Sequence, residues 1–301
     1  MELQKKLRKI SPADGYWMEQ ARKRWNMVAK PLHSLGKLED AVSRMAGMKR
    51  RVDFGLDKKA LVIMCADNGV VAEGVTQTGQ EVTAIVAENF TRGAASVCMM
   101  AQVAGADLFP VDIGIASDVP GLTRAEYKIA RGTGNMARGP AMTREQAEQV
   151  VLTGIRIVEK LADEGYDLIA TGEMGIGNTT TSSAVASVLL GCDPETVTGR
   201  GAGLSTEGLA RKIQVIRQAV RLNRPDPEDP LDVLAKVGGL DIAGLAGVFL
   251  GGAICRIPVV IDGFISSVAA LCAARLAPDA SDYMLPSHRS GEPAEIGRAH
   301  V

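Results

Sequence analysis

The chain of 301 residues carries 34 basic against 35 acidic side chains, a formal net charge of −1. With 46% hydrophobic and 23% charged residues it has the balance of an ordinary globular protein, and the length suits one large domain, or one large domain with a small satellite. Nothing in this balance points to a nucleic-acid or polybasic membrane partner, so an anionic ligand has to be held locally, by backbone N–H groups and a few cations.

Residues 1–50 have an amphipathic, helix-like pattern without a strand-like run, and the opening M-E-L-Q-K-K-L-R-K-I lacks a signal-peptide core. A-L-V-I-M-C-A (60–66) is a short unbroken apolar run, as in a strand buried on both faces, and it ends in D-N-G (67–69). The spacing then predicts one long helix over about 81–102. D-L-F-P-V-D-I-G (107–114) reads as a strand whose Pro110 favours a sheet edge or a strand end. T-R-E-Q (143–146) is a capping box that opens a helix to about Glu164. Y-D-L-I-A-T (166–171) is strand-like, and a helix follows Asn178. Ser205 caps a helix to about Leu222, and N-R-P-D-P-E-D-P (223–230) is a surface loop.

The apolar run 242–255, between Asp241 and Arg256, falls short of the roughly 20 residues of a membrane helix and reads as a buried core helix. I-P-V-V-I-D-G (257–263) is a further strand, followed by a helix over about 264–276. This alternation predicts an α/β fold, a Rossmann-like parallel sheet with helices on both faces. The cysteines Cys65, Cys98, Cys192, Cys255 and Cys272 form no C-x-x-C pair. They read as reduced thiols in a cytoplasm rather than as a disulfide framework or metal site.

Asp67, Asp112, Glu173 and Asp262 fall at or just past predicted strand C-ends, where open α/β sheets bind ligands; each alone also suits a helix cap. T-G-E-M-G-I-G-N-T-T (171–180) nearly spells the P-loop G-x-x-x-x-G-K-[ST], with Asn178 in the Lys position. Gly172, Gly175 and Gly177 let the backbone turn tightly and bring a helix N-terminus to an anion. Without the Lys, and without a clear acidic strand to hold magnesium, the loop suits one phosphate rather than a nucleoside triphosphate. A glycine turn with no ligand is the plain alternative. G-R-G-A-G-L (199–204) is a second glycine loop, before a helix that carries Arg211 and Lys212. The poor strand character of D-P-E-T-V-T upstream speaks against a dinucleotide fingerprint. Arg200 also suits plain solvation, and Lys212 a place on the wet face of its helix.

Several separated motifs, in order, match one family: S-L-G-K-L-E (34–39), A-D-N-G-V-V-A-E-G-V (66–75), Q-E-V-T (80–83), G-E-M-G-I-G-N-T-T (172–180), G-R-G-A-G-L (199–204), V-G-G-L-D-I-A-G-L-A-G (237–247), D-G-F-I-S-S-V-A-A-L (262–271) and S-H-R-S-G-E-P (287–293). From about Lys30 to Ala294 the chain resembles the nicotinate-nucleotide–dimethylbenzimidazole phosphoribosyltransferase family. The resemblance implies transfer of the phosphoribosyl group of nicotinate mononucleotide to 5,6-dimethylbenzimidazole, with inversion from β to α. The products would be α-ribazole 5′-phosphate and nicotinate, in cobalamin biosynthesis. It implies no metal and no cofactor, because the pyridinium is already a cationic leaving group. It also implies a cytoplasmic homodimer that binds these small molecules and neither nucleic acid nor membrane.

By position, the resemblance gives the nucleotide phosphate to Gly175, Gly177, Asn178, Thr179 and Thr180, and to Gly201 and Gly203, with Lys212 as helper. Asp262, Gly263, Ser287 and Ser290 would approach the ribose and phosphate, Gln80 would line the benzimidazole pocket, and Glu173 would be a second carboxylate beside the substrates. Loop capping suits Ser287 and Ser290 equally, and a structural role suits His288. Residues 1–54 would form the N-terminal part of a small helical domain and residues 55–294 the α/β phosphoribosyltransferase domain.

Two departures stand out. P-L-H-S-L-G (31–36) replaces the family's usual P-P-G-S-L-G. In the family, S-H-x-S-x-E-P-A leads on to a further helix and to L-G-E-G-T-G, whose Glu is the general base; this chain stops at Val301. E-I-G-R-A-H-V (295–301) matches the translation of a common sequencing-adapter DNA, so residues 295–301 are expected to be non-native. The chain as given is then expected to have little or no transferase activity, and a non-catalytic module that binds a nucleotide monophosphate is the alternative. Sequencing the source locus past the codon for Ala294 decides between them.

Overall fold

The computed structural model describes residues 2–122 and 125–293; the expected non-native tail, 295–301, lies outside the described residues. Three helices come first, α1 (Glu2–Leu7), α2 (Gly15–Met27) and α3 (Lys37–Lys49). Strand β1 (Lys59–Ala66) leads through a 3-10 turn at Gly69–Glu73 to α4 (Glu81–Thr91), α5 (Ser96–Ala104) and β2 (Ala106–Gly114). Then come α6 (Arg144–Asp163), β3 (Leu168–Met174), α7 (Asn178–Leu189), the short α8 (Pro194–Val197), α9 (Thr206–Asn223), α10 (Pro230–Val237) and α11 (Leu240–Cys255). The described chain ends with β4 (Val259–Ile261), α12 (Gly263–Leu276), a 3-10 segment at Pro278–Tyr283 and β5 (Met284–Pro286).

All strand pairs are parallel, in the order β2-β1-β3-β4-β5. The unbroken apolar run of β1 follows from its interior place. Val62 and Met64 enter the main core cluster, while Ile63 and Cys65 enter a second cluster with Ala84, Ala87 and Phe90 of α4 and Val97 of α5. Pro110, which cannot donate to a ladder, sits in β2 at the sheet edge, as its chemistry requires.

The opposite face is covered by α11, buried almost along its whole length and packed against α6. Glycine makes that approach possible. A Cβ on Gly154 of α6 would lie 2.2 Å from the Gly244 carbonyl oxygen, and one on Gly247 of α11 would lie 2.1 Å from that of Val151. The predicted capping box is present: Thr143 Oγ1 accepts from the Gln146 N–H at 3.1 Å, and Gln146 Oε1 accepts from the Thr143 N–H at 2.9 Å.

The predicted helix over 81–102 is two helices. The chain breaks at T-R-G-A-A, where Gly93 takes φ +68°, a conformation that interrupts the hydrogen-bond ladder. The run at 257–263 supplies only three strand residues, and β5, with the sequence M-L-P, is too short to carry a period. Strand β3 runs on to Met174, so Glu173 lies within it. Leu3 and Leu7 of α1 and Met45 and Met48 of α3 enter the main cluster, and Lys6 Nζ lies 2.6 Å from Glu159 of α6. Among the described residues no helix is long and apolar enough to cross a membrane, and all five cysteines are free.

Candidate functional site

From β1 the chain moves outward to β2 and then returns across β1 to β3 on its other side. Connections that leave neighbouring strands in opposite directions open a crevice beyond their C-terminal ends, here between the loops after β1 and β3. An open cleft of about 500 Å³ lies there, lined by Val75–Thr78 of the first loop, Gly175–Thr179 of the second and Arg200, Ala202, Gly203 and Leu204 of a third.

The β3 loop turns through Gly177 at φ +93°, the residue before the α7 helix, which has no side-chain cap. Its uncapped first turn therefore faces the cleft with the positive end of the helix dipole. Thr83 Oγ1 in α4 accepts from the Ile176 N–H at 3.1 Å and fastens this loop from the first face. A Cβ on Gly175 would lie 2.5 Å from both the Ala66 carbonyl oxygen and Asp241 Oδ2, so only glycine permits this packing.

The third loop carries Gly201 at φ +55° and Gly203 at φ +110°. Arg200 closes it, donating to the Leu204 carbonyl at 2.7 Å and to Thr206 Oγ1 at 3.2 Å, and Gln77 of the first loop donates to the Gly203 carbonyl. Lys212 reaches in from α9. Its side chain is fully buried, and Nζ donates to Thr179 Oγ1 at 2.9 Å and to the Gly199 carbonyl at 3.1 Å. Burial pushes its pKa down to about 8, against the opposing pull of Glu292. Lys212 thus joins the two glycine loops, and the wet-face reading of it does not hold.

Glu173 stands at the crevice end of β3 and shares an amide with Asp241, near the head of α11. Asn178 Nδ2 donates to Glu173 Oε2 and, at 3.0 Å, to Asp241 Oδ2. Burial, then the Asp241 charge, pushes Glu173 up to about 7; burial pushes Asp241 up to about 6. Gln80, just before α4, donates to the Asn68 carbonyl at 3.3 Å, and it is not among the residues that line the cleft.

The four strand-end carboxylates divide. Asp262 lies near enough to Glu173 for its charge to add, after burial and Asp241, to the upward push on that carboxyl. Asp112 is a buried structural anion, 2.9 Å from Lys128 Nζ and accepting from the Ile115 N–H at 2.8 Å. Asp67 accepts from the Ala116 N–H at 2.8 Å and ties the β1 and β2 loops. Asp262 precedes Gly263 (φ +58°) at the head of α12, with Oδ1 3.9 Å from His288 Nδ1. The hydroxyls of Ser287 and Ser290 are engaged with backbone: Ser287 donates to the Ile261 carbonyl of β4 at 2.6 Å, and Ser290 accepts from the Glu292 N–H at 3.2 Å. Thr180 is fully buried, its hydroxyl without a hydrogen-bond partner.

Sequence reasoning gave no role to Asp241, Asn68 or Glu292. Asp241 had a signal, since an acid abutting an apolar core helix has to be accommodated within the interior. Asn68 is fully buried, and its side-chain amide acts on Asp241, favouring the charged carboxylate against the larger push of burial. Glu292 accepts from the Gly201 N–H at 3.0 Å, a contact between segments far apart in sequence. Among the described residues no group of His, Cys, Asp and Glu side chains is placed to hold a metal ion.

A family model described as phosphoribosyltransferase (DBI_PRT) matches residues 10–298. The nicotinate-nucleotide–dimethylbenzimidazole phosphoribosyltransferase of Acetivibrio thermocellus is 50% identical over 276 residues, covering 92% of this chain and 79% of that protein. The Escherichia coli protein of the same name is 46% identical, covering 98% of this chain and 83% of its own length. Among solved structures, that of CobT from Thermus thermophilus superposes with a TM-score of 0.88 at 41% identity, covering 94% of this chain and 85% of that one.

Proposed function

This chain belongs to the phosphoribosyltransferase family whose model spans it, and on that premise we propose that it transfers the phosphoribosyl group of nicotinate mononucleotide to 5,6-dimethylbenzimidazole. The observation that carries the reading is the buried Lys212 bridging two glycine loops around one cleft. One cation with one uncapped helix N-terminus matches one phosphate. Gly175, Gly177 and Thr179 supply the first wall of that site and Gly201 and Gly203 the second. Gln80 flanks the space for the aromatic base, and Asp262 and Gly263 flank the ribose.

In the reaction the bond from the ribose anomeric carbon to the pyridinium nitrogen breaks, and its electron pair leaves with nicotinate. A benzimidazole nitrogen lone pair forms the new bond, and the other ring nitrogen gives up its proton. Holding both reactants in line supplies much of the rate. Glu173, pushed up to about 7, is the described carboxylate suited to receive that proton near neutral pH. It is ionised only above that value, so turnover rises as pH passes upward through about 7.

Glu173 is also tied to Asn178, which limits its approach to a base, and we expect slow turnover from the 301-residue chain. The test is to incubate the chain with both substrates and follow nicotinate release together with nucleotide binding. Saturable binding with slow release is expected, and Glu173→Gln should lower the residual rate roughly 100-fold with little change in nucleotide affinity. Absence of both binding and release would sink the reading; turnover as fast as that of the relatives would show that Glu173 is free enough to serve alone.

The self-association implied by the family resemblance has support in Met99, Met100 and Val103 of α5 and Ile85 of α4, large apolar side chains left exposed on one side of the sheet. A homodimer is expected in sedimentation at micromolar concentration, and Val103→Lys with Met100→Lys should give monomers. Unchanged sedimentation of that variant would place the interface elsewhere.

A further inference from the structure

We propose that Asp241 is a positioning residue which, through the Asn178 side-chain amide, orients Glu173 and makes the two carboxylates titrate as one unit. This rests on the reading that Glu173 faces the substrates.

The geometry fixes the arrangement from both sides. An amide nitrogen has two hydrogens, and Asn178 spends one on Glu173 Oε2 and the other on Asp241 Oδ2 at 3.0 Å. Turned over, the amide would present its oxygen to two carboxylates, so the network admits one orientation. Asp241 cannot drift. Its Oδ1 accepts from the Ile242 N–H at 3.0 Å, it has no exposed surface, and glycines at 175 and 239 pack against its oxygens where a Cβ would lie 2.5 and 2.4 Å away.

Asn178 holds the place that a P-loop gives to lysine. A lysine there would neutralise the pair; an amide holds both acids without neutralising either. Of the other groups facing the pair, the Asn68 amide and the backbone N–H groups of Asp241 and Ile242 favour a charged Asp241, and burial outweighs them. Asp262 at the head of α12 adds a negative charge, the Cys65 thiol on β1 is driven strongly toward its neutral form by burial and the same acids, and the Asn68 amide beside Asp241 is neutral. Among the described residues neither carboxylate has a Lys, Arg or His ion-pair partner, and their near partners are the neutral Asn178 amide and backbone N–H groups. Two acids joined by one neutral donor in a buried place keep a proton between them, and its loss belongs to the pair.

The test is a carbon-13 titration of the carboxyl groups of the full chain, with urea unfolding at about pH 5 and about pH 8. The wild type is expected to show two coupled inflections above the ordinary carboxylate range. Because the folded chain binds the protons more tightly than the unfolded chain, its unfolding midpoint should fall as pH rises between these values. Asp241→Asn keeps an oxygen toward Asn178 and removes a charge. It should move the Glu173 inflection to lower pH and flatten the fall, and Glu173→Gln added to it should flatten the fall by less than it does alone. An Asp241→Asn chain that folds yet leaves the Glu173 inflection in place would overturn the proposal. Should that variant not fold, the wild-type titration decides alone, since two independent inflections in the ordinary range would overturn it equally. If Glu173→Gln leaves turnover intact, the transfer role of Glu173 fails while the coupled titration stands, so the two failures are distinct.

Discussion

Lys212→Met is expected to weaken nicotinate mononucleotide binding roughly 30- to 150-fold, the equivalent of about 2–3 kcal/mol for a charge-assisted hydrogen bond to phosphate. Methionine matches the length of the lysine stem and is at home in the buried path through which α9 sends it, so the fold should survive. The variant loses only the donor to Thr179 Oγ1 and the Gly199 carbonyl, and the positive charge between the loops. A pH series supplies the control. With its pKa pushed down to about 8, the lysine is cationic below that value and neutral above it. Wild-type affinity should therefore decline as pH rises through about 8, while the methionine variant shows no decline there. Calorimetry at both pH values reads both effects. Wild-type affinity in the variant would mean that the phosphate is held without Lys212.

Gly247→Val should cost at least about 4 kcal/mol and leave little folded protein, because overpacking at a backbone-to-backbone contact has no side chain to move aside. The new Cβ would lie 2.1 Å from the Val151 carbonyl oxygen and 2.9 Å from the Gly154 Cα. Relief requires α11 to lift from α6, and α11 carries Asp241 at its head and covers the sheet beneath the crevice. Gly139→Ala is the matched control, with nothing within 4 Å of its Cβ, and should change stability by less than about 0.5 kcal/mol. Urea unfolding compares the two. A Gly247→Val chain as stable as the control would show that the two helices separate at no cost.

The sheet was legible because its signals are local. The run A-L-V-I-M-C-A needs both faces buried, the capping box at Thr143 closes within four residues, and Pro110 announces an edge. The break between α4 and α5 was hidden, since the apolar period continues across Gly93 and only its backbone conformation interrupts the helix. Strand β5 escaped because its place is set by β4 rather than by its own three residues. At the site, the glycine loops were legible from composition and position. The partnership of Asn178 with Glu173 and Asp241 was not, since it joins residues 63 positions apart and depends on the packing of α11. Lys212 illustrates the same limit in part: it lies on the stripe with Val215, Ile216 and Ala219 that α9 buries, a spacing that was legible, but the Gly199 carbonyl and Thr179 hydroxyl that its Nζ reaches were not.

The interior place of β1, between β2 and β3, also bears on how the chain is made. Its partner on one side, β2, is the next strand in sequence, but Lys59 pairs on the other side with Leu168. During synthesis at roughly 5–20 residues per second, the second edge of β1 therefore waits on the order of 5–20 s for its partner to emerge. Through that interval an apolar strand with unpaired N–H and C=O groups is offered to any neighbouring chain. The arrangement that opens the crevice in the finished molecule thus leaves one edge of the nascent β1 without a partner until the segment beginning at Leu168 has been made.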